Sequence, residues 1–156
     1  MIKAYLVIIF LSIPFFNTVI LTGRVVRIVD GDSIVLLTDQ REQIRVRLDG
    51  IDAPERGQDY GTKATVFVRD LCLNKTVRVH KAGVDRYGRT LGVLYVDGVN
   101  INEALVRQGL AWHYKHYNND PTLDSLERVA RKEKLNIWSM ADPVAPWNYR
   151  RMNKKK

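Results

Sequence analysis

Alternating apolar and polar residues predict β-strands in the first half of the chain. Residues 23–29 are rich in β-branched side chains and end at the turn signal of residues 30–32, after which residues 33–37 resume the β pattern. These two segments therefore predict a hairpin. Residues 43–49 alternate strictly and place Arg47 on the face opposite the apolar side chains.

Helical spacing of apolar residues predicts three helices, and two further segments follow the β pattern. The strands are expected at residues 77–80 and 89–96, and the helices at residues 62–73, at residues 101–108 and from Pro121 onwards. Three strands, a helix, two strands and two helices predict an α+β protein that is mainly a β-barrel. The expected fold is a five-stranded OB-fold barrel with three helices.

The composition indicates the state of the cysteine and the class of partner. The chain has 156 residues, enough for one domain that buries a core without disulfides. Cys72 is the only cysteine, which excludes an intramolecular disulfide, and its apolar neighbours predict a buried, inert thiol. The net charge of +8 favours a polyanionic partner such as nucleic acid or anionic lipid.

The first 22 residues carry one charge, at Lys3, and their apolar run is typical of an export signal. No small-x-small cleavage motif follows, and the run would span roughly 27 Å as a helix, so an uncleaved membrane anchor stays open. We expect residues 1–22 to be this signal or anchor and residues 23–140 to be a secreted or periplasmic domain. Residues 141–156 are expected to be an irregular extension with a basic tail.

Three carboxylates lie at predicted strand ends and turns: Asp32, Asp52 and Glu55. Carboxylates that converge repel one another unless a cation lies between them. Ligation by oxygen alone indicates Ca²⁺ or Mg²⁺, and a backbone carbonyl, such as that of Ala53, could complete the site. The alternative interpretation is that these acids only form turns.

Two arginines, Arg47 and Arg89, accompany these acids. A divalent cation together with two guanidinium groups can bind a phosphate and stabilise charge on its oxygens during displacement. Glu55 could orient or deprotonate the attacking water. The pattern therefore predicts phosphoryl chemistry.

Five motifs together resemble the staphylococcal-nuclease-like, or thermonuclease, family. They span residues 29–33, 47–55, 85–89, 102–111 and 132–138, in the order in which the family has them. The resemblance implies an OB-fold barrel with three helices and hydrolysis of DNA and RNA with low sequence specificity. It also implies one Ca²⁺ ion as cofactor, and 5′-hydroxyl and 3′-phosphate products.

The resemblance implies a role for each residue of the site. Asp32 and Asp52 match the metal carboxylates, and Ala53 matches the position that donates a carbonyl. Glu55 matches the candidate general base. The two arginines that match phosphate-binding positions are Arg47 and Arg89.

Substrate contacts are also implied. Arg86 and Tyr87 match residues that hold a terminal phosphate, and Tyr114 and Tyr117 fall near tyrosines that stack on a base, although these aromatics could instead cover the barrel. The loop of residues 56–61 is shorter than in the type member of the family. We expect a monomer that acts on DNA and RNA without an obligatory protein partner. The rival hypothesis is a non-catalytic OB-fold module that binds nucleic acid or a protein.

Overall fold

A computed structural model describes residues 19–154. Its strands are β1 (Ile20–Asp30), β2 (Ser33–Leu37), β3 (Gln43–Leu48), β4 (Ile51–Asp52), β5 (Thr76–Val84), β6 (Thr90–Val96), β7 (Val99–Asn100) and β8 (Trp112–His113). Its α-helices are α1 (Gly61–Cys72), α2 (Ile101–Arg107), α3 (Pro121–Lys132) and α4 (Pro146–Asn153), and a 3₁₀ helix spans Asn136–Ser139.

Five strands form a closed barrel. The strand order is β3-β2-β1-β5-β6, with antiparallel neighbours and the short strand β7 added beyond β6. Parallel pairing of β3 with β6, which sets Val46 opposite Thr90, joins the two ends of the sheet. The α+β class and the five-stranded OB-fold barrel are therefore confirmed, whereas the helix count differs, because the described residues form four α-helices instead of three.

Alternation in the strands separates the core from the surface as predicted. Val46 and Leu48 of β3 are buried in the barrel, whereas Arg45 is exposed. The helix α1 packs against this core, because Ala64, Val68 and other residues on one helical face are fully buried. Burial also raises the pKa of the neighbouring Cys72 thiol to about 12, as expected for an inert cysteine.

The ends of α2 and α3 carry capping residues that are typical of helix termini. The side chain of Asn100 accepts a hydrogen bond from the Glu103 N–H at 3.2 Å and donates to the Glu103 carboxylate at 2.9 Å. Gly109 follows α2 with a φ of 62°, in the left-handed region that glycine favours. Pro121 lies at the start of α3, and Asp120 caps it by accepting from the Thr122 N–H at 2.7 Å.

Two boundary predictions need correction. The C-terminal extension is not irregular throughout, because residues 146–153 form α4, which begins with proline at the first helical position. The barrel also begins before residue 23, because Ile20 of β1 already pairs with His80 of β5. Residues 20–22 fit both the apolar pattern of an export segment and the pattern of a β-strand. The boundary between segment and domain was therefore predicted too late in the sequence.

The predicted export segment otherwise lies outside the described residues, as do the last two lysines of the basic tail. Among the helices of residues 19–154, none has the length and hydropathy needed to cross a membrane.

Candidate active site

The tight turn between β1 and β2 positions the first carboxylate of the site. A Cβ at Gly31 would lie 2.7 Å from the Ala64 Cβ and 2.8 Å from the Ala53 Cβ, so only glycine lets this turn pack between them. The next residue, Asp32, is 5% exposed. Its Oδ2 accepts a hydrogen bond from the Ala53 N–H at 2.6 Å, which joins the turn to the chain after β4.

Arg47 joins two of the carboxylates. Its Nη1 lies 3.1 Å from Asp32 Oδ2, and its Nη2 donates to Asp52 Oδ1 at 2.8 Å. The same guanidinium donates to the carbonyl oxygens of Leu48 and Ile51 at 3.0 and 2.9 Å. The arginine is therefore held at the end of β3 with two acids around it, and its side chain is 13% exposed.

Asp52 is the most deeply buried acid of the site, at 1% exposure. It ends the short strand β4, in which it pairs with Trp112 of β8. This pairing brings residues 112–114 beside the acids, and the Tyr114 N–H donates to the Gly50 carbonyl at 2.9 Å. The two-stranded β4–β8 sheet therefore forms one wall of the site.

Glu55 lies at the mouth of the site, in the loop that leads to α1. The Glu55 N–H donates to Gln58 Oε1 at 3.0 Å, and the Gln58 side chain in turn donates to the Val144 carbonyl at 2.6 Å. The Glu55 side chain is 33% exposed, so it is more open to solvent than Asp32 or Asp52. This position suits a carboxylate that meets water and substrate.

Burial dominates the electrostatics of the two inner acids. It raises the pKa of Asp32 to about 6, against the favourable charge of Arg47. It also raises the pKa of Asp52, against the guanidinium groups of Arg150 and Arg47. Both carboxylates are ion-paired, and their pKa values are still raised. The guanidinium groups of Arg47 and Arg150 therefore offset only part of the free-energy cost of removing the carboxylates from water. A further cation at these oxygens would stabilise the ionised form.

Arg89 lies just before β6, the strand whose parallel pairing with β3 closes the barrel. Asp85 orients it, because Arg89 Nε donates to Asp85 Oδ2 at 2.7 Å and the Arg89 N–H donates to Asp85 Oδ1 at 2.9 Å. Its terminal nitrogens form no hydrogen bond with another residue of the described chain, and its side chain is 31% exposed. In residues 19–154 no ion pair joins it to the carboxylates of the site.

Arg86 and Tyr87 occupy the turn between β5 and β6. Tyr87 is 64% exposed, and the guanidinium carbons of Arg86 and Arg89 lie 5.5 and 5.6 Å from the centre of its ring. The turn therefore presents two guanidiniums and an aromatic ring to solvent.

Tyr114 and Tyr117 differ in their surroundings. Tyr114 is partly buried, and its ring is stacked on Trp147 of α4, with centroids 5.1 Å apart and an interplanar angle of 16°. Tyr117 contacts Tyr114 edge to face at 5.1 Å and is 71% exposed. A residue of the chain itself, Trp147, therefore covers one face of the Tyr114 ring.

The sequence analysis missed Arg150, which lies in the same site. Arg150 Nη2 lies 2.8 Å from Asp52 Oδ2, and its Nη1 donates to Glu55 Oε1 at 2.5 Å and to Asp52 Oδ1 at 3.2 Å. It belongs to α4, within a stretch interpreted as a solvated basic tail. Pro146 as a helix start, with Trp147 and Arg150 three residues apart on one helical face, was the signal that could have located it.

The structure thus brings most of the predicted site together. Asp32, Arg47 and Asp52 are in direct contact, and Glu55 joins them through Arg150. Within residues 19–154, no three His, Cys, Asp or Glu side chains form a ready metal site. Guanidinium groups bridge two pairs of these acids: Arg47 bridges Asp32 and Asp52, and Arg150 bridges Asp52 and Glu55.

Comparison with known proteins supports the family resemblance that the sequence motifs indicate. Residues 45–140 match the sequence profile of the family described as "Staphylococcal nuclease homologue". The chain is 50% identical over 129 residues to an "Uncharacterized endonuclease" of Escherichia coli O157:H7, covering 82% of this chain and 84% of the relative.

Two other relatives show similar coverage. The chain is 42% identical over 133 residues to an "Uncharacterized endonuclease" of Haemophilus influenzae, covering 85% of this chain and 75% of that protein. It is 43% identical over 143 residues to a "Micrococcal nuclease" of Shigella flexneri, covering 85% of this chain and 82% of that protein. With this match and the closed barrel that carries the acid and arginine cluster, the chain belongs to the family of staphylococcal nuclease homologues.

Proposed function

We propose that this protein is a Ca²⁺-dependent nuclease that hydrolyses phosphodiester bonds of DNA and RNA with low sequence specificity and leaves 5′-hydroxyl and 3′-phosphate ends. The family and the names of its relatives support a nuclease. The observation that carries the proposal is the contact of one arginine, Arg47, with two buried acids, Asp32 and Asp52. Glu55 lies at the mouth of the same site.

The residues present fit a hard divalent cation. Asp32 and Asp52 offer carboxylate oxygens, and both are buried acids whose raised pKa values indicate incomplete charge compensation. Oxygen donors suit Ca²⁺ or Mg²⁺, and a flexible set of carboxylate, carbonyl and water ligands favours Ca²⁺. Asp32 and Asp52 would hold the ion, with the Ala53 carbonyl as a further ligand. A bound divalent cation would supply Lewis-acid activation of the phosphate.

The chain's own side chains then have distinct tasks. Asp85 holds the Nε of Arg89, and the terminal nitrogens of this arginine form no hydrogen bond within residues 19–154, so they are available to bind phosphate oxygens. Arg47 is placed to neutralise charge that develops on the same phosphate. Glu55, the most exposed carboxylate of the site, is placed to orient water or accept its proton. The substrate would contact four further side chains: Arg86, Tyr87, Tyr114 and Tyr117.

The test is a cleavage assay on the full chain with Ca²⁺ titrated against single-stranded and double-stranded DNA and RNA, followed by end-group analysis. Cleavage that requires Ca²⁺ and yields 3′-phosphate ends is expected. Binding without cleavage under any divalent cation would refute the proposal and favour a non-catalytic module.

Variants test the assignment of residues. Glu55→Gln and Arg89→Ala should each lower kcat about 10²- to 10³-fold, because each removes a group that acts on the transition state. Arg78→Ala, on an exposed position of β5, is the matched control and should retain wild-type turnover. Thermal unfolding should stay cooperative in all three variants. If Glu55→Gln or Arg89→Ala unfolds the protein, the residue is structural.

We further infer export, with the mature chain beginning no later than residue 19. Removal of residues 1–22 would delete Ile20, Leu21 and Thr22, which pair with β5 in the barrel. Mass spectrometry of the mature protein measures its N-terminus. An N-terminus at residue 23 would contradict this boundary, and an intact N-terminus in the membrane fraction would indicate an anchor.

A further inference from the structure

Helix α4 presents two side chains to the site, Trp147 and Arg150, from one helical face. Trp147 is stacked on Tyr114 at 5.1 Å and meets Trp112 edge to face at 6.4 Å. Arg150 binds Asp52 and Glu55. A single helix therefore covers both the acids and the aromatic ring that the proposed function assigns to metal and substrate.

The charges in the site indicate that Arg150 and a divalent cation compete. Asp32, Asp52 and Glu55 contribute three negative charges, and Arg47 and Arg150 contribute two positive charges, so the five groups sum to −1. Adding a divalent cation would change this sum to +1 with Arg150 in place, and to zero with Arg150 withdrawn. Like charges held a few ångströms apart in a poorly hydrated site repel strongly.

Few residues of α4 are fully buried. Pro146 is the only buried residue of this eight-residue helix, and Trp147 packs, partly buried, against the apolar cluster that contains Trp112 and Trp138. Outside the ion pairs and the aromatic stack, the neighbouring anchor is the hydrogen bond from Gln58 to the Val144 carbonyl at 2.6 Å. A cavity of about 670 Å³ lies beside the stack, and Trp147 and Arg151 of α4 form part of its wall.

We propose that α4 is an intramolecular lid that occupies the nuclease site until a divalent cation displaces it. In the closed state Arg150 pairs with Asp52 and Glu55, and Trp147 covers one face of the Tyr114 ring. Opening the lid frees both carboxylates and the aromatic ring together. The proposal rests on the proposed function, because it takes these residues as the metal and substrate positions.

The first test measures Ca²⁺ binding by the full chain without nucleic acid, using isothermal titration calorimetry. Arg150→Gln removes the competing charge and should tighten Ca²⁺ binding about tenfold, a typical coupling between competing states. Arg151→Gln is the matched control, because it removes one charge from the adjacent position of the same helix, and its affinity should stay within about twofold of wild type. Unchanged affinity in Arg150→Gln, or equal tightening in both variants, would overturn the lid.

The second test follows α4 itself by hydrogen-exchange mass spectrometry of the segment 144–153. Saturating Ca²⁺ should accelerate exchange there in wild type, and Trp147→Ala should accelerate it without Ca²⁺, because each removes a docking contact. Slower or unchanged exchange with Ca²⁺ would show that α4 stays docked in the metal-bound protein. That result would overturn the lid and make Arg150 a permanent part of the site.

Neither measurement depends on cleavage, so the lid and the proposed function can fail separately. An inactive protein in which Arg150→Gln tightens Ca²⁺ binding and Ca²⁺ accelerates exchange in α4 would keep the lid and reject the nuclease. An active nuclease with unaltered affinity would keep the nuclease and reject the lid.

Discussion

Single residues of the site depend on partners far away in the sequence. Asp32 accepts from the N–H of Ala53, 21 positions later, and Arg150 reaches Asp52 across 98 positions. Asp85 is a local exception, since it binds the side chain and backbone of Arg89 within one turn. Local contacts of this kind can be tested one side chain at a time.

Asp85→Asn tests whether this turn positions Arg89. The amide can still accept from the Arg89 N–H, but the charged contact to Nε is weakened, so we expect turnover to fall about tenfold, less than in Arg89→Ala. Steady-state kinetics with single-stranded DNA measures the effect. A loss in Asp85→Asn as large as that in Arg89→Ala would contradict a positioning role.

The hydrogen bonds of Asp85 in this turn also predict how its contribution to stability depends on pH. Partial burial of Asp85 opposes its ionisation, but hydrogen bonds from the Arg89 backbone and guanidinium and from the Tyr87 N–H outweigh burial and lower its pKa. The folded pKa is below the unfolded value, so the stabilisation is present above the unfolded pKa and is lost as pH falls through the folded pKa. NMR titration of the Asp85 carboxyl should give a midpoint below 3.8, and a midpoint above it would contradict the geometry.

The residue identities of the site were predictable from sequence to different degrees. Asp32, Arg47, Asp52 and Glu55 lie in compact motifs at strand ends, where the β pattern and the turn residues identify them. Arg150 lies in a basic run whose composition is typical of a solvated tail. Its importance comes from the acids that it contacts, and those contacts are not visible in the spacing of neighbouring residues.

At the level of elements, a buried asparagine joins α2 to the barrel. Asn102 Oδ1 accepts from the Leu94 N–H at 3.0 Å, and its Nδ2 donates to the Asp49 carbonyl at 2.8 Å. Asn102 is 2% exposed, so these groups have no access to bulk water. One side chain thereby connects the first turn of α2, the strand β6 and the end of β3, close to Arg47.

Asn102→Ala should therefore lower the free energy of unfolding by about 3 kcal/mol, because it leaves a buried N–H and a partly buried carbonyl without their partner. Asn100→Ala removes the cap of the same helix and should cost about 1 kcal/mol. Urea denaturation compares the two. An equal or larger loss in Asn100→Ala would contradict the connecting role of Asn102.

The elements themselves were largely predictable. The β1–β3 strands, α1, α2 and the start of α3 follow from periodicity and capping residues, since these signals act within a few positions. Helix α4 is short and mostly exposed, with a single buried residue, so its amphipathic pattern is weak. The stability of α4 depends on its contacts with the site, and the local sequence pattern does not predict those contacts.

For the molecule as a whole, the net charge of +8 predicts binding to nucleic acid that depends on salt. Glu55→Gln slows the proposed cleavage and allows affinity for single-stranded DNA to be measured with Ca²⁺ present. The binding constant should fall steeply as NaCl rises from about 50 to about 200 mM, because counterions are released from the phosphates. A methylphosphonate oligonucleotide without backbone charge is the control. Equal affinity for the two oligonucleotides at low salt would contradict an electrostatic interaction.

The sequence alone determined the class of fold, the five strands of the barrel, most helices and the acids and arginines of the candidate site, because these follow from local periodicity and side-chain chemistry. Closure of β3 against β6 decided that Arg47 lies on a strand next to the one that Arg89 precedes. The docking of α4 decided that Arg150 binds Asp52 and Glu55. Both depend on packing and charge pairing between distant segments, and these exist only once the chain has folded.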